Sequence, residues 1–137
     1  MGYVYAGEHI ELDQAVAIKM IDPDIVDDES RARFRREARV LAKLQSEHAV
    51  RVLDYGALAS GTPYLVMERL RGVEVETYLK RRGRIPVAEA VQIVREACEA
   101  IGEAHTLGIV HRDIKPSNLF LADRPHGRRS VKVLDFG

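Results

Sequence analysis

The chain has 137 residues, which suits one ordinary domain with a hydrophobic core. Its 21 basic and 21 acidic residues balance, so the charge does not indicate a polyelectrolyte partner such as nucleic acid. The single cysteine, Cys98, cannot form an internal disulfide. The sequence has no signal peptide and no apolar run of about 18 residues, so we expect a cytoplasmic chain without a membrane segment.

The first half of the chain has the pattern of an antiparallel sheet interrupted by one helix. Alternation and turn residues predict four strands, at Tyr3–Glu8, Ala15–Ile21, Val50–Tyr55 and Pro63–Glu68. A helix is predicted over Asp28–Leu44, because acidic residues open it and Phe34, Ala38 and Leu41 recur at helical spacing. Glu37 shares that apolar face. A carboxylate there is costly unless it is paired, so its position requires a cationic partner.

The same helix carries many cations on its other faces. The basic residues concerned are Arg31, Arg35, Arg36, Arg39 and Lys43. We interpret them as a solvated surface in preference to a nucleic-acid patch.

The second half of the chain is richer in helices. A short helix is predicted at Val75–Arg82 and a long one at Pro86–Leu107, with proline at its start and Gly108 after its end. Val91, Val94, Cys98 and Ile101 give the long helix one apolar face, and Cys98 is expected to be a packing residue. Two short strands are then expected, at Leu119–Leu121 and Val131–Leu134.

Three motifs occur in a fixed order along the chain. Residues 16–19 read V-A-I-K, residues 111–118 read H-R-D-I-K-P-S-N, and residues 135–137 read D-F-G. Together they match the set of motifs that assembles phosphoryl transfer from ATP. The chain therefore resembles the eukaryotic-like serine/threonine protein kinases, in the style of their bacterial members.

The resemblance implies an α+β, protein-kinase-like fold. It consists of an antiparallel-sheet N-lobe with one long helix, followed by the first part of a helical C-lobe. Residues 1–70 would form a partial N-lobe, and residues 71–137 the start of the C-lobe through the D-F-G motif.

The resemblance assigns catalytic roles to four residues. Lys19 matches the lysine that pairs with the α- and β-phosphates of ATP, and Glu37 the helix glutamate that orients it. Asp113 matches the aspartate that accepts the proton of the substrate hydroxyl. Lys115 matches the lysine that neutralises the γ-phosphate in serine/threonine-type kinases. There is a simpler alternative for each of two residues. Lys19 could be an ordinary surface lysine, and Glu37 could pair with a nearby arginine.

Two further residues match the ligands of Mg²⁺, namely Asn118 and Asp135, whose hard oxygens suit this ion. His111 and Phe136 are expected to be packing residues. The resemblance also implies a set of ATP-binding positions, which are Gly2, Val4, Ala17, Lys19, Met67, Glu68, Leu70, Glu74 and Phe120.

The chain departs from the family pattern at both ends. Gly2 matches only the third glycine of the glycine-rich loop, and no A-P-E motif follows Gly137. We therefore expect a truncated catalytic domain that binds ATP weakly and transfers little phosphate to a protein substrate alone.

Two alternatives remain open. One is a catalytically incompetent nucleotide-binding fragment or interaction module. The other is a small-molecule kinase of the aminoglycoside-phosphotransferase type, against which Lys115 and the D-F-G motif argue.

Overall fold

The computed structural model describes residues 2–22 and 27–136, so Gly137 of the D-F-G motif lies outside the described residues. The chain forms two compact units. The first comprises Met1–Lys43 and Arg51–Arg69, and the second comprises Leu44–Val50 and Leu70–Gly137. The assignment of residues 1–70 and 71–137 to an N-lobe and a partial C-lobe stays a prediction.

The first unit is a four-stranded antiparallel sheet with one helix. Its strands follow the order β1-β2-β4-β3. The elements are β1 (Gly2–His9), β2 (Gln14–Ile21), α1 (Asp28–Leu41), β3 (Val52–Ala57) and β4 (Pro63–Glu68). The strand and helix types confirm the sequence prediction, although α1 ends three residues earlier than expected.

Helix α1 begins with a reciprocal cap. The Asp27 carboxylate accepts a hydrogen bond from the Ser30 backbone N–H at 2.7 Å, and the Ser30 hydroxyl oxygen accepts one from the Asp27 N–H at 2.9 Å. These two bonds satisfy donors that the first helical turn leaves without partners. As predicted, Phe34, Ala38 and Leu41 are buried. The cap and the buried stripe together fix which face of α1 packs within the first unit.

The second unit joins two α-helices to a three-stranded antiparallel sheet of order β5-β6-β7. Its elements are β5 (Gly72–Glu74), α2 (Val75–Arg82), α3 (Val87–Thr106), β6 (Leu119–Asp123) and β7 (Arg129–Val133). The sequence pattern predicts all of these except β5. This strand has only three residues and begins with Gly72, where a Cβ would clash with the Leu121 carbonyl oxygen.

The packing predicted for Cys98 on α3 is wrong. Val91 and Val94 are each 59% exposed, and Cys98 is exposed as well. The buried side chains lie on another face and are Ile93, Glu96, Ala97, Ala100 and Ala104. Helix α3 packs against β7, and small alanine side chains allow its backbone to approach the strand closely.

The segment Leu44–Val50 lies with the second unit, although it falls between α1 and β3 in the chain. The Val50 N–H donates to the Val133 carbonyl oxygen at 3.2 Å, and the Val133 N–H donates to the His48 carbonyl oxygen at 2.7 Å. Strand β3 consequently begins at Val52, two residues later than the sequence predicts.

Within residues 2–22 and 27–136, no helix combines the length and the apolar run that a membrane crossing requires.

Candidate active site

In the first unit, Lys19 and Glu37 form an ion pair. The Lys19 ammonium donates to Glu37 Oε1 at 2.6 Å, and the two side chains are 17% and 12% exposed. Lys19 lies in β2 and Glu37 lies on α1, so the pair connects the sheet to the helix. This confirms the cationic partner that the position of Glu37 requires, and it excludes an arginine as the only partner.

The strand register places several predicted nucleotide-binding residues on the face of the sheet that carries Lys19. Val4 in β1 lies directly opposite Lys19, and Ala17 lies opposite Met67 in β4. Directly paired residues share a face, as do residues two apart along a strand. Val4, Ala17, Lys19 and Met67 therefore form one surface.

Gly2 and Glu68 have other surroundings in the first unit. Gly2 pairs with Ile21, and a Cβ at this position would clash with the Met20 carbonyl oxygen. Glu68 lies opposite Val16, on the other face of the sheet. Its carboxylate accepts a hydrogen bond from the Arg51 N–H at 2.8 Å.

In the second unit, the His111–Asn118 segment is held by a buried histidine. His111 is 2% exposed, and its Nε2 donates to the Leu134 carbonyl oxygen at 2.8 Å. Its Nδ1 accepts from the Asp113 N–H at 3.4 Å, so the neutral tautomer with hydrogen on Nε2 satisfies both partners. The Phe136 ring lies 4.7 Å from the His111 ring. Both residues are packing residues, as predicted.

Two residues of the motifs have a backbone conformation that is uncommon outside glycine. Arg112 has φ of 65° and Asp135 has φ of 53°, in the left-handed region. Each is the direct neighbour of a buried ring, His111 in one case and Phe136 in the other. Strained backbone of this kind concentrates at functional sites, where the surrounding packing maintains it.

The Asp113 carboxylate is exposed but engaged. Lys115 Nζ lies 2.7 Å from Asp113 Oδ2, and the Asn118 amide nitrogen donates to the same oxygen at 3.0 Å and to the Asp113 carbonyl oxygen at 2.8 Å. The hydrogen bond from the Lys115 ammonium, supported by that from Asn118, holds the pKa of Asp113 below its ordinary value. The carboxylate is therefore ionised at neutral pH.

This contact predicts a pH effect. Replacing Lys115 with Met raises the pKa of Asp113 towards its ordinary value, because the main stabiliser of the charged form is lost. A carboxylate whose pKa is lower in the folded state than in the unfolded state stabilises the fold at pH values above the unfolded-state pKa. That contribution is lost as the pH falls through the folded-state pKa. The variant should therefore protonate Asp113 at a higher pH than the wild type.

Carboxyl carbon chemical shifts of Asp113, measured during an acid titration, test the expectation. Lys80→Met is the matched control, because Lys80 pairs with Glu76 at 3.2 Å on α2. An unchanged Asp113 titration in Lys115→Met would contradict the assignment.

Asn118 has a donor arrangement that fits Mg²⁺. Its amide nitrogen is used by Asp113, which leaves the carbonyl oxygen Oδ1 as a hard oxygen donor. The Leu134 N–H donates to the backbone carbonyl oxygen of Asn118 at 2.9 Å, and Leu134 immediately precedes Asp135. Among the described residues, no three His, Cys, Asp or Glu side chains form a metal cluster. Two protein oxygens suit a magnesium ion that takes its remaining ligands from phosphates and water.

Three predicted nucleotide-binding positions lie in the second unit. Glu74 in β5 is opposite Phe120 in β6, and the Phe120 side chain is half-buried. Leu70, also half-buried, precedes β5. Their role in nucleotide binding stays a prediction.

A row of glutamates on α3 anchors the Leu44–Val50 segment. The sequence analysis did not identify this row. The Glu103 carboxylate accepts hydrogen bonds from the Gln45 N–H at 2.8 Å and the Ser46 N–H at 2.7 Å. Glu99 Oε2 lies 3.4 Å from Nε2 of the buried His48. The spacing of these glutamates is visible in the sequence, but their backbone partners are not.

Glu96 completes this row inside the unit. Its Oε2 accepts a hydrogen bond from the Val131 N–H at 2.8 Å, and its Oε1 accepts one from Gln92 at 2.9 Å. His48 Nδ1 lies 3.0 Å from the Val131 carbonyl oxygen and 3.7 Å from Glu96 Oε2. Helix α3 and β7 are therefore joined by a buried polar network.

Comparison with known proteins agrees with this geometry. The family described as the protein kinase domain matches residues 1–137. The chain is 34% identical over 138 residues to the serine/threonine-protein kinase pkn3 of Myxococcus xanthus, covering all of this chain and 25% of that protein. It is 37% identical over 141 residues to PknB of Mycobacterium leprae, covering 22% of that protein.

Solved structures show the same similarity. A crystal structure of the Mycobacterium tuberculosis PknI kinase domain superposes with a TM-score of 0.83 at 32% identity, covering 99% of this chain and 54% of that one. The chain thus spans about a quarter of the curated relatives and about half of the solved domain. The match over residues 1–137, together with the Lys19–Glu37 pair and the engaged Asp113 carboxylate, shows that the chain belongs to the protein kinase domain family.

Proposed function

We propose that the chain is part of an ATP- and Mg²⁺-dependent serine/threonine protein kinase. The observation that carries the proposal is the ionised Asp113 carboxylate, held by Lys115 and Asn118 within the H-R-D-I-K-P-S-N segment. The relatives named serine/threonine-protein kinases support the choice of acceptor.

The chemistry divides among few residues. Asp113 accepts the proton of a serine or threonine hydroxyl of the substrate. The hydroxyl oxygen bonds to the γ-phosphorus while the bond between the γ-phosphorus and the β-phosphate oxygen breaks, so that ADP leaves. Lys19, oriented by Glu37, binds the α- and β-phosphates, and Lys115 offsets charge on the γ-phosphate. Asn118 and Asp135 would hold Mg²⁺, which supplies positive charge to the phosphate oxygens when bound.

The remaining predicted positions would bind the rest of the nucleotide. Val4, Ala17 and Phe120 would contact the adenine ring, and Glu68 and Leu70 would offer backbone groups to its edge. Met67 would line the end of this pocket, Glu74 would contact the ribose, and Gly2 would bring backbone close to the phosphates.

Transfer of radiolabelled γ-phosphate from ATP to a basic protein substrate tests the proposal. The assay uses a kinase domain of the family's full length that contains these 137 residues, followed by phosphoamino-acid analysis. Label on serine and threonine is expected. Binding of ATP without any transfer would favour the catalytically incompetent alternative.

Nucleotide binding should depend on Mg²⁺ and on Lys19. We expect ATP affinity to fall when Mg²⁺ is omitted, and Asp135→Ala to remove most of that dependence because a metal oxygen ligand is lost. Lys19→Met should weaken binding with and without the metal, because it removes the cation that binds the phosphates.

Calorimetric titration of ATP with and without Mg²⁺ measures these effects. Asp123→Ala is the control, since Asp123 is an exposed aspartate that pairs with Arg129 in the sheet of the second unit. Affinity that ignores both Mg²⁺ and Asp135→Ala would contradict the metal assignment.

A further inference from the structure

Ser60 differs from the other serines of the chain in its exposure. The sequence contains five serines, and the structure describes all of them. Ser60 is exposed, whereas the others are half-buried, namely Ser30, Ser46, Ser117 and Ser130. One threonine, Thr106, is exposed as well, but its hydroxyl donates to the Glu103 carbonyl oxygen at 2.7 Å within α3. Ser60 is therefore the serine most accessible to an enzyme that modifies hydroxyl groups.

Ser60 lies at the tip of the turn between β3 and β4. The Gly61 N–H donates to the Leu58 carbonyl oxygen at 2.8 Å, and the Leu58 N–H donates to the Thr62 carbonyl oxygen at 2.9 Å. Gly61 has φ of 81°, a backbone conformation that glycine adopts without strain. The turn is thus closed by backbone bonds that do not use the Ser60 side chain.

The Ser60 hydroxyl has only a light local contact. Its oxygen Oγ lies 3.0 Å from Thr62 Oγ1 and accepts a hydrogen bond from the Thr62 N–H at 3.4 Å. In both contacts Thr62 can be the donor and the Ser60 oxygen the acceptor. Replacing the hydroxyl proton with another group therefore does not break the turn.

A guanidinium group lies against this turn. Arg31 of α1 donates from Nη1 to the Gly61 carbonyl oxygen at 2.8 Å. A Cβ on Gly61 would lie 3.3 Å from Arg31 Nη1 and 3.8 Å from Nη2, so both terminal nitrogens are close to the residue that follows Ser60. A guanidinium has five N–H donors, and the Gly61 carbonyl oxygen uses one of them.

The charge of Arg31 is not balanced by a carboxylate in the described part of the chain. No ion pair within residues 2–22 and 27–136 includes Arg31, whereas the nearby Arg33 pairs with Glu29 at 3.2 Å. Arg31 is half-buried, and a cation that is partly removed from water gains more from an anion than a fully exposed one. An anionic group added beside Gly61 would meet a cation that is already in place.

We propose that Ser60 is a phosphorylation site and that its phosphate binds the Arg31 guanidinium. This inference rests on the proposed kinase function, because the phosphate donor is ATP and the enzyme is a second copy of the complete kinase domain. The Ser60 hydroxyl oxygen bonds to the γ-phosphorus while the bond between the γ-phosphorus and the β-phosphate oxygen breaks, so that ADP leaves. The hydroxyl proton passes to the Asp113 carboxylate of the second copy.

The phosphate joins α1 to the β3–β4 turn. Phosphoserine carries a charge of about −1.5 to −2 at pH 7 and three acceptor oxygens, and a guanidinium binds such a group through parallel hydrogen bonds. Arg31 lies six residues before Glu37 on the same helix, and Glu37 forms the ion pair with Lys19. Fixing the beginning of α1 to the turn restrains Glu37, so phosphorylation favours the Lys19–Glu37 pair.

Mass spectrometry tests whether Ser60 is modified. A kinase domain of the family's full length that contains these 137 residues is incubated with ATP, Mg²⁺, a basic protein and an Asp113→Asn domain uniformly labelled with ¹⁵N. The ¹⁵N label separates the peptides of the inactive copy from those of the active one by mass. Phosphate is expected on Ser60 of the labelled copy, and Ser60→Ala in that copy should remove it.

Phosphoserine incorporated at position 60 during translation tests the contact without any kinase activity. The modified 137-residue chain should have a Tm about 3 °C or more above that of the unmodified chain. Arg31→Gln should remove most of this gain. Arg33→Gln is the matched control, because it removes the same charge from the same helix at a residue that pairs with Glu29, and it should keep the gain. Each variant is measured with and without the phosphate, which completes a double-mutant cycle.

The possible failures are distinguishable. Phosphate on the basic protein but not on Ser60 overturns this inference and leaves the kinase function intact, whereas phosphate on neither contradicts the kinase function itself. An unchanged Tm in the phosphoserine chain refutes the Arg31 contact. An equal gain in Arg31→Gln and Arg33→Gln refutes it too, since the phosphate would then act through the overall charge of the helix.

Discussion

Replacing Asp113 with Asn should lower phosphoryl transfer by about 10²–10⁴-fold, the contribution typical of a positioned proton acceptor. The amide keeps the size of the side chain and can still accept a hydrogen bond from Lys115, so the loop keeps its packing around His111. It cannot take the hydroxyl proton. The loss should therefore be in kcat, with little change in the affinity for ATP.

The same radiolabelled transfer assay measures this effect in a kinase domain of the family's full length that includes these 137 residues. Asp123→Asn serves as the matched control, because Asp123 is equally exposed and pairs with Arg129 at 3.2 Å in the same unit. Its activity should stay close to that of the wild type. Undiminished turnover by Asp113→Asn would refute the proton-acceptor role.

Replacing Glu96 with Ala should lower the free energy of unfolding by about 3 kcal/mol. The reason is that Glu96 is 6% exposed and its carboxylate is the acceptor for the buried Val131 N–H. The alanine leaves this donor without its partner and opens space between α3 and β7. A change of this size should lower the Tm by about 10 °C for a chain of this length.

Thermal unfolding followed by circular dichroism measures the change, and two variants act as controls. Glu96→Gln keeps a carbonyl oxygen for Val131 and should cost less than the alanine. Glu89→Gln tests a neighbour on the same helix, since Glu89 accepts only from the Tyr78 hydroxyl at 2.6 Å among the described side chains. A Tm in Glu96→Ala equal to that of the wild type would show that the network adds no stability.

The motifs of the candidate site are predictable from the sequence because each is short and local. V-A-I-K lies within β2, and alternation along the strand assigns the face of Lys19 without any tertiary information. The need of Glu37 for a cation follows from its apolar helix face alone. The interaction of Asp113 with Lys115 and Asn118 also spans only a few residues.

The packing of α3 was not predictable, because the helix offers two candidate faces. Val91 and Val94 are more hydrophobic than Ala97 and Ala100, so composition favours the face that is in fact exposed. The buried face is selected by β7, whose Val131 N–H requires the acceptor that Glu96 supplies. Such a partner is 35 residues away in the chain, beyond the reach of helical periodicity.

The placement of His48 was missed for the same reason. Its ring is buried against the Val131 carbonyl oxygen, 83 residues away, whereas the local sequence around it suggests only the start of a strand. Side-chain hydrogen bonds over such distances depend on how elements meet in space.

The path of the chain through the Leu44–Val50 segment has a consequence for synthesis on the ribosome. The residues of the first unit have all been made once Arg69 is added, but this internal segment has its partners at Glu103, Val131 and Val133. During translation it therefore remains an unsatisfied loop while the next 60 or so residues are made at about 5–20 residues per second. The first unit must tolerate this waiting period of several seconds. The second unit is closed by contacts between residues that are far apart in the chain, so it should fold more slowly than the first unit.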